Sequence, residues 1–201
     1  MKMVKRGTII GALDILYQVL ASPSAALSFV CQKRPWGWAM LPLLLTSLVF
    51  ILVILPNPPE LAEAIFGLER GSLSSDAWWL VWLGLVPVSL GIQAGVLHVA
   101  ATLLHGRGAC MGLLCGLCFA SFPWAFSAPL ALLRALLAST VGYLLYYLGS
   151  LALFAWVLYL YITAVRQNYS FSTRRAVATC VIPLLVLFSA SWAVLAISAA
   201  L

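Results

Sequence analysis

The chain has 201 residues, 64% of them hydrophobic and 8% charged, with a formal net charge of +6 and a mean hydropathy of +1.09. Soluble domains carry about a quarter charged residues, so too little polar surface is present to clothe a water-soluble globule, and the composition selects an integral membrane protein. Lipid cannot hydrogen-bond a bare backbone, and the apolar runs are continuous rather than alternating with period two, so the predicted class is an all-α transmembrane bundle rather than a barrel.

Residues 1–35 read as an amphipathic N-terminal segment ahead of a bundle that occupies residues 36–201. Basic residues followed by an apolar stretch and SPSAA resemble a secretory signal, but Asp14 and Gln18 interrupt the apolar region. Gly7, Gly11, Asp14, Gln18 and Ser22 recur at helical spacing as a polar stripe, which predicts a helix lying on the cytoplasmic surface or docked beneath the bundle. A second short helix is expected to start at Ser22 and Pro23 and to stop before Lys33-Arg34-Pro35.

Five apolar runs follow, near residues 36–55, 77–104, 112–132, 137–165 and 176–199, each long enough for a hydrocarbon core of roughly 30 Å. Trp36 and Trp38 open the first and Trp78, Trp79 and Trp82 the second, as interfacial anchors. Glu60, Glu63, Glu69 and Asp76 fall in the loop between those two runs.

Along the second run Gly84, Val88, Gly91, Gly95, His98, Thr102 and His105 alternate four and three apart, so this stripe is expected to face protein, with Gly91 and Gly95 at its centre. His98 is a candidate intramembrane polar site, with Thr102 one turn away as the expected partner of its imidazole. His98 and His105 are separated by roughly 10 Å along the helix, too far to hold one ion.

The stretch from Leu104 to Cys118, LHGRGACMGLLCGLC, concentrates a histidine and three cysteines. Cys115 and Cys118 share a helical face while Cys110 points away, which makes a poor metal cage. Gly108, Gly112, Gly116 and Ala120 fall at strict four-residue spacing and form a groove that admits another helix closely, with the second run as the expected partner. Packing is therefore the favoured reading, with redox or metal chemistry and lipidation of Cys110 as alternatives.

Pro87, Pro123 and Pro183 each fall inside a run and predict bends. Arg134, the single charge between Gly112 and Val165, is expected at an interface, followed by a tight turn before Gly142, because an Arg at mid-bilayer costs at least ~2.5 kcal/mol. With a cytoplasmic N-terminus, Lys2, Lys5, Arg6, Lys33, Arg34, Arg107, Arg166, Arg174 and Arg175 lie inside, and only Arg70 and Arg134 outside. The C-terminus is then external, and Asn168-Tyr169-Ser170 faces inward, away from glycosylation. Lys33, Arg34, Arg107, Arg174 and Arg175 make a rim suited to anionic lipid headgroups, so the net charge describes a membrane surface and no nucleic-acid partner is expected.

No phosphate loop, paired intramembrane carboxylates or nucleophile beside a base can be assembled, so neither an enzyme nor a cofactor or metal site is expected. A basic N-terminus leading through RPWGW into the first of five runs is similar to the Yip1-domain family. LLHGRGACMGLLCGLCFASFPW and YITAVRQNYSFSTRRAVATCVIPLL resemble that family's small-residue turn with its Ala-Ser-x-Pro helix and its turn between the fourth and fifth spans. The resemblance implies a five-span protein with a cytoplasmic N-terminus, whose eukaryotic relatives engage Rab-type GTPases and membrane-shaping partners. This sequence lacks the long N-terminal region and the Asp-Leu-Tyr-Gly-Pro motif of those relatives, so the GTPase role is not carried over and a compact bacterial-type member of the cytoplasmic membrane is implied. Two functions are expected to compete: a non-catalytic scaffold or adaptor that contacts membrane lipids and a protein partner or second copy of itself, and a transporter or channel passing a small solute, ion or lipid along a polar path near His98.

Overall fold

The protein, described here from a computed structural model, is defined over residues 11–54, 75–137, 140–183 and 185. Lys2, Lys5, Arg6 and Gly7, the loop carrying Glu60, Glu63, Glu69 and Arg70, and most of the expected fifth span lie outside the described residues, as do the side chains of Asp76, Trp78, Trp79 and Trp82.

The described chain is helical, with no strand. Helix α1 (Ala12–Ala21) begins where the Gly11 N–H donates to the Asp14 carboxylate at 3.1 Å, satisfying a donor that helix starts leave orphaned. Helix α2 (Pro23–Lys33) has proline in its first turn, where the missing N–H costs nothing, and closes at Arg34 in the left-handed conformation. Then come α3 (Trp36–Ile54), α4 (Ser75–Leu103), α5 (Cys110–Ala120), a 3-10 turn (Phe122–Phe126), α6 (Ser127–Leu137) and α7 (Thr140–Tyr169). A further helix, α8, starts at residue 173 and is described to 183.

Three segments are long and apolar enough to cross a membrane, Leu83–Leu103, Cys110–Leu137 and Thr140–Tyr169, and the described part of α3, Trp36–Val49, is a shorter apolar helix. The segment expected as the third span is helical but broken. Pro123 lacks the N–H that would continue α5, and the backbone tightens so that the Trp124 N–H reaches the Ser121 carbonyl at 3.0 Å. Pro42, inside α3, leaves that helix intact, and Thr46 uses the Pro42 carbonyl as acceptor at 2.7 Å. Hydroxyls at Ser47, Ser89, Ser121 and Thr163 likewise donate to carbonyls three or four residues back, which keeps a polar side chain satisfied without water.

Helix α5 is the hub. Gly112, Leu113 and every residue from Cys115 to Ala120 are buried, because α2, α3, α4 and α7 all pack on it. A helix surrounded on all sides must be apolar all round, and CMGLLCGLCFA meets that condition with side chains small enough for several neighbours at once. The N-terminal helices belong to the same core. Ile15, Leu16 and Val19 of α1 and Ala26, Leu27 and Val30 of α2 are buried in one continuous cluster with Leu113, Leu117, Leu160 and Ala164. Residues 11–33 are thus docked against the bundle rather than lying apart from it. The polar stripe of α1 remains open, with Asp14 exposed beside Leu13 and Tyr17, which are 73% and 72% exposed.

Candidate functional site

The loop between α4 and α5 packs under the end of α7, and this contact draws the basic residues together. An added Cβ on Gly108 would lie 2.5 Å from Cδ1 of Tyr169, and one on Gly112 would lie 2.6 Å from the Cys31 carbonyl and 2.5 Å from Oδ1 of Asn168. A Cβ on Gly116 would meet Sγ of Cys31 at 2.9 Å and the Ala164 methyl at 3.3 Å. The Gly108-Gly112-Gly116 ridge therefore receives α2 and α7, not α4 as the spacing led us to expect. The Asn168 amide locks the arrangement by donating to the Ala109 carbonyl at 3.0 Å.

Gly91 and Gly95 behave differently among the described residues. A Cβ on either meets nothing within 4 Å among the described residues. Identical four-residue spacing thus yields a close helix contact on α5 and none within the described chain on α4. The physical reason is position: α5 sits at the centre of the bundle, whereas α4 packs mainly on α3 and α5 and meets α7 only briefly.

His98 also finds a partner that its own helix does not supply. Its Nδ1 shares a hydrogen bond with the Tyr169 hydroxyl, 2.5 Å away, and the rings lie 5.9 Å apart. Tyr169 in turn stacks on Phe171 at 5.6 Å. Thr102, the expected partner, is exposed and donates to the Val99 carbonyl at 2.8 Å. His105 is exposed and terminates α4 with φ of 60°, a left-handed residue of the kind that ends helices. Gly106 follows with its N–H on the Ala101 carbonyl at 2.9 Å. His98 lies five residues from the end of α4, roughly 7.5 Å along the helix from the basic end.

The contacts of Gly108 and Gly112 place Lys33 and Arg34 at the end of α2, Arg107 in the α4–α5 loop, Arg166 near the end of α7 and Arg174 and Arg175 at the start of α8 on one end of the molecule. All six are exposed. Arg166 donates to the Thr173 hydroxyl at 3.4 Å, and among the described residues none of the six has an acidic partner. Arg134 stands at the other end, its guanidinium 5.2 Å from the Tyr143 ring and 5.3 Å from the Tyr146 ring. There the Gly142 Cβ position is 3.1 Å from the Leu137 Cβ and 3.3 Å from the Arg134 carbonyl; the turn expected between them, residues 138 and 139, lies outside the described residues.

All five cysteines are free. Cys115 and Cys118 are core residues, and Cys31 joins them, its Sγ 3.8 Å from the Ala164 carbonyl. Burial, and secondarily the nearby Cys115, pushes the Cys31 thiol up to about 12, the opposite of an activated nucleophile. Cys110 is partly exposed. Among the described residues no three His, Cys, Asp or Glu side chains converge.

One feature escaped the sequence reading. A cleft of about 470 Å³ lies between α3, α4, the 3-10 turn and α7, lined by Thr46, Ser89, Gln93, Ser121 and Tyr161 among apolar side chains. No curated protein and no solved structure matches the chain. The sequence profile of the Yip1 domain matches residues 17–195, an interval that contains every helix described above except the first half of α1. The apolar helices, the hub they surround and this match together establish that the chain is an integral membrane protein of the Yip1 domain family.

Proposed function

We propose that this protein is a non-catalytic scaffold that organises the membrane and a partner protein or second copy of itself at its basic end. The observation that carries the reading is the gathering of six exposed cations with no acidic partner among the described residues. Their positions are fixed by close backbone contacts at Gly108 and Gly112. Anionic headgroups attract such a rim by about 1 kcal/mol for each Lys or Arg close to the surface. Leu13 and Tyr17, exposed on α1 beside Asp14, supply the apolar face that an interfacial helix buries at the headgroup boundary. The rim faces the cytoplasm, following the excess of Lys and Arg on that side, of what we take to be a bacterial cytoplasmic membrane.

Native mass spectrometry of the purified protein tests this. Replacing Lys33, Arg34, Arg107, Arg174 and Arg175 together by Gln is expected to remove retained anionic phospholipid while leaving zwitterionic lipid unchanged. Equal retention of both lipids by the variant and the wild type refutes the headgroup role. Reconstitution in liposomes tests the scaffold reading against transport: solute, ion or lipid flux abolished by His98→Ala overturns it.

A further inference from the structure

The geometry points to a binding site, in the cleft between α3, α4, the 3-10 turn and α7, for a neutral lipid-soluble molecule whose apolar body carries a carbonyl oxygen. The cleft's depth is the first argument. Counting about 1.5 Å per residue from the basic end of each helix puts Tyr161 at ~12 Å, Thr46 and Gln93 at ~15 Å and Ser121 at ~17 Å. Four separate elements thus bring a polar side chain to one level, near the middle of a hydrocarbon core roughly 30 Å thick.

Hydrogen-bond accounting gives the ligand's chemistry. Thr46, Ser89 and Ser121 have spent their hydroxyl protons on the carbonyls of Pro42, Val86 and Cys118. Gln93 and Tyr161 have no hydrogen-bond partner among the described residues. The Tyr161 oxygen is not sealed in the core either, since no sealed buried polar side-chain atom lacks a partner. Two amide protons and one phenol proton are therefore available to a space walled by Leu85, Val86, Leu90, Phe154 and Val157. The Gln93 amide oxygen is an acceptor as well, but N–H and O–H donors left unbonded in an apolar medium cost several kcal/mol, so an occupant that supplies an acceptor relieves donors of both residues.

Charge and access narrow the class further. No ionisable carboxylate, amine or guanidinium lines the cleft, which disfavours a charged ligand at this depth. Phe154 and Leu158 on its rim are 55% and 39% exposed, so the mouth lies on the lateral surface of the bundle and entry is from the bilayer. The volume falls within the range of roughly 300–1,000 Å³ typical of small-molecule sites. A quinone headgroup and the ester of a neutral acylglycerol share the required chemistry.

The test uses the full chain in detergent with an alkyl benzophenone, an apolar photoprobe whose carbonyl both accepts hydrogen bonds and crosslinks to adjacent C–H bonds. Irradiation, digestion and mass spectrometry are expected to show saturable labelling of peptides containing Leu85–Gln93 or Phe154–Tyr161. Unlabelled benzophenone should compete about tenfold better than diphenylmethane, which has the same shape without the carbonyl, and Gln93→Leu should weaken labelling about tenfold, as for one lost hydrogen bond in apolar surroundings. Competition by a short-chain benzoquinone or by a diacylglycerol then identifies the source. Ser89→Phe, which fills the cleft, should abolish labelling; if that variant does not fold, Gln93→Leu at the rim retains the test. Labelling that rises linearly with probe, spreads along the outer face of α7 and ignores Gln93→Leu overturns the site. Equal competition by diphenylmethane overturns the carbonyl assignment.

Discussion

Replacing Gly112 by alanine separates close helix packing from mere sequence pattern. The new methyl would stand 2.6 Å from the Cys31 carbonyl oxygen, where ordinary contact begins near 3.4 Å. The neighbour must therefore retreat by about 0.8 Å, and because it is backbone, α2 has to move as a unit. Overpacking of this kind costs about 1–3 kcal/mol, and a backbone obstacle belongs at the upper end. Alanine recovers about 0.5–1 kcal/mol of helix propensity relative to glycine, leaving a net loss of about 2 kcal/mol. The same substitution at Gly95 meets nothing within 4 Å among the described residues and keeps only the propensity gain. Thermal unfolding in detergent, followed by tryptophan fluorescence, should thus move in opposite directions: down by about 4–8 °C for Gly112→Ala and unchanged or slightly up for Gly95→Ala. A Gly112→Ala protein as stable as wild type, or an equal loss at Gly95, refutes the assignment of α2 as the partner of the α5 ridge.

Removing the phenol with Tyr169→Phe leaves the His98 imidazole without its partner and should cost about 1–3 kcal/mol, read as a lower melting temperature that Thr102→Ala does not reproduce. Maleimide at pH 8 should modify Cys110 in the folded protein while sparing Cys31, whose thiol stays protonated to about pH 12, so that modification of Cys31 tracks unfolding. Because the folded Cys31 resists ionisation and the unfolded thiol does not, its contribution to stability is complete below about pH 9 and declines from there towards pH 12; a Cys31→Ala variant should lose that alkaline component. Arg134→Gln removes a guanidinium held over two tyrosine rings and should destabilise by about 0.5–2 kcal/mol, with Arg134→Lys intermediate.

The membrane class and the start of α3 were legible because both follow from local composition: RPWGW does open a helix at Trp36, and Pro123 does interrupt the apolar segment Cys110–Leu137. Partners were less legible, since spacing states which residues share a face and not what faces them. Gly91-x-x-x-Gly95 and Gly112-x-x-x-Gly116 are the same pattern, yet only the second lies on the helix that the rest of the bundle surrounds. His98 was matched to Thr102 by its nearness in the helix, whereas its hydrogen bond runs to a residue 71 positions away. The cleft was hidden because its lining comes from four elements. Counting depth from the basic end of each helix would have aligned Thr46, Gln93, Ser121 and Tyr161.

The seat of α2 imposes a schedule on synthesis. Cys31 rests on residues near Gly112 and on Ala164, 133 positions further along. At roughly 5–20 residues per second, the ribosome needs about 7–27 s to make that stretch. Throughout this interval Ala26, Leu27 and Val30 have no finished groove to enter. Helices α1 and α2 therefore cannot complete their docking until α7 has been made.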